Sequence, residues 1–148
     1  MSRNIPSLRM RVLAQQLIAH EVSSETLPIR HMDAVARVFE DLRRPLCTLV
    51  GVSGLRALLA RALTLARGQV DGLKVVTVEA EASLIGLDKL RNQDDPEGGI
   101  VFLAQLLGLL GAFIGESLTM NILSNTWPNL AALNTQATQE EKKNDATR

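Results

Sequence analysis

Tyrosine is absent from this chain, and the other aromatics are scarce: one tryptophan and three phenylalanines in 148 residues. Single-stranded nucleic acid is held by stacking bases on aromatic rings, so this poverty argues against that function. It also argues against a β-sandwich, because strands draw on aromatic and β-branched side chains. Only one cysteine, Cys47, is present, which excludes an internal disulfide and fits a reducing cytoplasm. The formal net charge is zero, and no cluster of basic residues resembles a nucleic-acid-binding arm. The first residues, Met1-Ser2-Arg3-Asn4-Ile5-Pro6, lack the apolar core of a signal peptide, so a cytoplasmic location is expected.

What the chain has in quantity is leucine and alanine, and a hydrophobic content of 46% that can build a real core in one domain. Its charges are segregated. Residues 1–74 hold 11 Lys/Arg against 6 Asp/Glu, and residues 75–148 hold 5 against 10. Halves of +5 and −5 attract one another, within one fold or across a homodimer.

The longest apolar stretch runs from Gly98 to Leu123, with Glu116 as its one carboxylate. Asp95, Pro96 and Glu97 are suited to a helix start, and Asn125 and Pro128 to its end, so one central buried helix is expected. Ala104, Gly108, Gly111, Gly115 and Thr119 recur every three or four residues and fall on one face. Each interior glycine costs about 1 kcal/mol relative to alanine, which close approach of another helix would offset. These five positions are the predicted interface. The run from Ile100 to Gly115 falls short of the roughly 20 residues that span hydrocarbon, and no basic cluster flanks it, so a membrane span is disfavoured.

Upstream, apolar spacing predicts helices over Ser7 to His20 and Ile29 to Arg44, joined by the polar stretch Glu21 to Pro28. Pro45 should end or kink the second helix, Gly51 should break the short turn after it, and Ser53 should cap a helix from Gly54 to Arg67. Arg56, Arg61 and Arg67 are placed on its solvent face, and Gly68 at its stop. From Leu73 to Gly86 the period shifts to two, which predicts a strand over Lys74 to Glu79, although the alanine and glutamate content also permits a helix from Val78 onward. Its partner would be Ser83 to Leu87, or the same strand of a second subunit. The fold class is therefore mainly α: a helical bundle of residues 1–133 around the glycine-striped helix, with a short strand or hairpin. Residues 134–148 read as a disordered polar tail.

The segments Leu42-Arg43-Arg44-Pro45-Leu46, Gly54 to Leu63, and Leu103 to Leu110, closing in Phe113-Ile114-Gly115-Glu116 and Trp127-Pro128, resemble a family of small uncharacterised bacterial α-helical proteins. The resemblance covers roughly residues 8–128 and implies no activity. In similar sequences the middle segment turns on an Asp-Gly pair. Glu81-Ala82 stands at that place here, which argues against a tight turn.

Signatures of chemistry are missing. No glycine-rich nucleotide loop occurs, and Gly51-Val52-Ser53-Gly54 lacks the spacing of a nucleophile elbow. His20 and His31, with Glu21 and Asp33, match no metal motif. Cys47 reads as a buried, inert thiol. Glu116 is the one candidate binding residue: a carboxylate in apolar surroundings should be buried and paired, with Arg43, Arg44 or Arg56, or protonated beside a pocket. The expected function is a non-enzymatic interaction module without cofactor or metal, a homodimer or an adaptor for another protein. The alternative is a small-molecule sensor with an apolar pocket beside Glu116.

Overall fold

The computed structural model describes residues 8–23, 31–79, 81–86 and 96–128. Within them the chain is mainly helical, with α1 (Leu8–Ser23), α2 (His31–Arg67), α3 (Pro96–Ile114) and α4 (Glu116–Thr126). A 3-10 turn (Asp71–Val75) leads from α2 into a hairpin of β1 (Thr77–Val78) and β2 (Leu84–Ile85). The hairpin is antiparallel, with Thr77 opposite Ile85 and Val78 opposite Leu84. The tail from Asn134 lies outside the described residues.

The core forms where three helices put their apolar stripes together. Leu13, Leu17 and Ile18 of α1 are buried with Val35, Phe39, Leu42, Leu46, Leu55, Leu59 and Leu63 of α2. Between them lies α3, buried along Val101, Phe102, Leu103, Leu106, Leu107 and Leu110. It packs most extensively on α2 and next on α1, so a central α3 is observed as expected.

Three local expectations are corrected. The Gly98–Leu123 stretch is two helices, because Gly115 takes φ +96, a left-handed conformation that ends α3 and lets α4 start in a new direction. Pro45 does not end its helix. It removes one intrahelical hydrogen bond to the carbonyl of Asp41, yet α2 runs on past it. The interruption comes at Gly51 as expected, with φ +81 and ψ 163, but Ser53, expected as the cap, lies inside the resumed helix and is exposed rather than acting as its boundary.

The hairpin is tight despite lacking glycine at its turn. The Ala82 amide donates to the Glu79 carbonyl at 3.0 Å, and the Glu79 amide donates to the Ser83 carbonyl at 2.8 Å. Ala82 occupies the left-handed position at φ +61 that the Asp-Gly pattern would assign to glycine, and it is fully buried. Arg67 fastens the hairpin to the end of α2. Its guanidinium donates to the carbonyls of Leu73 (3.4 Å) and Val76. The sequence placed Arg67 on the solvent face, because helical periodicity does not report what folds over a helix end.

Candidate functional site

Glu116 lies in the first turn of α4, where a carboxylate meets the positive end of the helix dipole. It is not buried: its side chain is 51% exposed and forms an ion pair with Arg9 of α1. None of the three arginines expected to pair with it does so. The break at Gly115 turns the helix start outward, which explains the difference. A second pair, Arg11 with Glu97, joins α1 to the start of α3. Exposed pairs of this kind contribute about 0–1 kcal/mol each, so both guide packing more than they secure it.

The stripe of small residues is split by the same break. Ala104 at one end and Thr119 at the other are buried. Thr119 folds back on the break, its amide (3.1 Å) and hydroxyl (2.8 Å) both donating to the Gly115 carbonyl. Between them, a Cβ built on Gly108, Gly111 or Gly115 would meet nothing within 4 Å. Among the described residues no other helix approaches there, and the expectation of close backbone contact within the fold is corrected. These glycines face open space.

Around them the surface is apolar. Gly108, Leu109 and Gly111 are half-buried, Ala112 is exposed, and Phe113 is 65% exposed. At 100° per residue these five positions spread over about 200° of the last two turns of α3, with Gly111 at one edge and Phe113 at the other. Leu118 is also exposed, as is Leu8, which precedes the arginine paired with Glu116. Sequence reasoning read Phe113 as a core position. Phe113 stands three residues after buried Leu110 and seven after buried Leu106, so helical spacing alone would place it on the core face; its exposure near the end of α3 is set by the tertiary structure.

A second polar feature lies between α1 and α2, where Glu21, Ala36, Arg37, Glu40 and Asp41 line a pocket of about 380 Å³. The Trp127 indole donates to Glu21 at 3.2 Å. Partial burial raises the Asp41 pKa, helped by the neighbouring charges of Glu21 and Glu40 and opposed by Arg37. A carboxyl with a raised folded-state pKa binds its proton more tightly in the folded state. Its ionisation therefore costs stability as pH rises from the ordinary carboxylate range towards neutral. Asp41→Asn should stabilise the fold at pH 7, by less than about 1 kcal/mol because the group is solvent-screened. The gain should vanish below pH 4, and thermal melts of both proteins across that range would show it. A constant difference at every pH would contradict the assignment.

Among the described residues no group of three or more His, Cys, Asp or Glu side chains could hold a metal ion. Cys47 is half-buried rather than buried. Two helical segments, Asp33–Arg67 and Glu97–Ile114, are long and apolar enough to cross a membrane by length and composition alone. The second has 56% of its apolar window buried, as a core helix does. Comparison with protein-family models, with curated proteins and with solved structures returned no match.

Proposed function

We propose that this chain is a non-enzymatic cytoplasmic interaction module that works as a homodimer, the two copies meeting at the C-terminal arc of α3. The observation that carries this reading is Phe113, a large side chain left 65% in water at one edge of the exposed end of α3, with the open positions Gly108 and Gly111 towards the other edge. Leaving such a ring exposed forgoes a burial gain of about 1.5–3 kcal/mol. An isologous interface needs a surface complementary to itself, and this arc carries both a projection and a hollow. The glycines that gain nothing inside the monomer would gain contact there. The alternative, a sensor with an apolar pocket beside Glu116, has less in its favour, since that side chain is half in water and paired with Arg9.

Sedimentation equilibrium tests the dimer. The wild-type chain should sediment at twice its formula mass at micromolar concentration. Gly111→Leu and Phe113→Lys should both sediment as monomers with unchanged helical circular dichroism, because neither position is packed within the fold. A monomeric wild-type protein, or a dimer indifferent to both substitutions, overturns the proposal.

A further inference from the structure

One face of α2 carries a pocket lined by two arginines, and none of its lining residues belongs to the exposed end of α3. Three- and four-residue steps link Glu40 to Arg43 and Cys47, and Glu40 to Arg44 and Thr48; with Val52 these residues line a pocket of about 400 Å³. Arg43 is half-buried and held in place: its Nη2 donates to the Glu81 carbonyl of the hairpin turn at 2.7 Å. Its Nε is shielded from solvent and has no acceptor among the described residues. Arg44 beside it is exposed. Neither arginine forms an ion pair among the described residues.

A guanidinium withdrawn from water without a counter-charge is costly, and a shielded N–H without an acceptor adds to that cost. The hairpin nevertheless pins Arg43 in this position. Arg44, one residue on, brings a second planar fork of donors to the same opening. The Thr48 hydroxyl, which back-bonds to the Arg44 carbonyl at 3.1 Å, can rotate to donate into the pocket. The helix also resumes after the break at Gly51, so its positive end begins at Val52 on the pocket wall. Both arginines, Thr48 and Val52 at the start of the resumed helix border one space of small-ligand size. A tetrahedral oxyanion is the chemistry that satisfies such donors together. The Glu40 carboxylate on the rim opposes any anion and sets a limit on affinity.

We propose that the Arg43–Arg44–Thr48 pocket binds a phosphoryl group. That group belongs to a small soluble ligand or to a lipid headgroup, the chemistry being the same at the protein. The site is independent of the dimer surface. Inorganic phosphate titrated at constant ionic strength, followed by amide NMR, should shift residues 40–52 saturably. Arg44→Gln should weaken that binding roughly tenfold or more, and Arg44→Lys nearly as much, because lysine keeps the charge but loses the fork. Glu40→Gln should tighten it. Arg44 is exposed and Glu40 also faces solvent, so these variants should fold normally. Vesicles of phosphatidylcholine containing phosphatidic acid separate the sources: binding that is lost in Arg44→Gln assigns the phosphoryl group to a headgroup. Phosphate titration without vesicle binding assigns it to a soluble ligand. Absence of a saturable phosphate shift, or full rescue by Arg44→Lys, overturns the proposal.

Discussion

Trp127→Ala should cost about 3–5 kcal/mol of folding stability, the range for emptying a large buried aromatic site. Trp127 is only 4% exposed and terminates α4, its amide donating to the Leu123 carbonyl at 2.8 Å. Its indole reaches Glu21 of α1, more than a hundred residues earlier in the chain. The substitution thus removes a core side chain and the polar tie that holds the last helix to the first. Trp127→Phe retains most of the apolar contact and loses the indole donor, so its cost should be nearer 1 kcal/mol, the usual net worth of one hydrogen bond. Urea unfolding measures both. If the alanine variant loses under about 1 kcal/mol, α4 is not part of the cooperative core.

Gly86→Ala should be nearly as damaging. Gly86 follows β2 with φ +96, and a Cβ there would stand 2.1 Å from the Val75 carbonyl oxygen and 3.0 Å from its carbon. Backbone atoms cannot swing aside as the end of a flexible side chain can. The hairpin would have to lift from the 3-10 turn, weakening the contacts that Arg67 makes with Leu73 and Val76. Left-handed strain costs about 1–2 kcal/mol and overpacking about 1–3, so a combined loss of roughly 2–5 kcal/mol is expected. That corresponds to a fall in Tm of roughly 6–15 °C for a chain of this size. Gly115→Ala is the contrast. It has a similar φ but nothing within 4 Å of its Cβ, so only the conformational strain of about 1–2 kcal/mol should appear. Equal losses at the two sites would show that the Val75 contact is not the cause.

Periodicity determined most of the helical content by itself. Leu13, Leu17, Leu55, Leu59 and Leu63 are buried at the register their spacing implies. The shift to period two after Leu73 marked the hairpin, but only Thr77–Val78 of the expected strand Lys74 to Glu79 is paired, because Asp71–Val75 forms a 3-10 turn. These signals are local: an apolar stripe must be covered, whatever covers it. Glycine at position 51 was legible as a helix break, whereas at position 115 it was legible as glycine but not by role. A helix interior, a kink and a packing contact all accept it, and only the φ angle of the folded backbone separates them. The stripe at Gly108 and Gly111 looked like a contact because helical geometry puts its members on one face. Whether another element occupies that face depends on where α1 and α2 end up, which no single segment encodes. The same holds for charge. Sequence logic matched Glu116 with arginines of α2, whereas the break at Gly115 swung it out to Arg9. The cation with an unsatisfied donor is instead Arg43, bound to a carbonyl 38 residues away. Helix propensity and burial act over a turn or two and can be read along the chain. Pairing of polar groups depends on distances of a few ångströms between remote segments, and only the tertiary structure sets those.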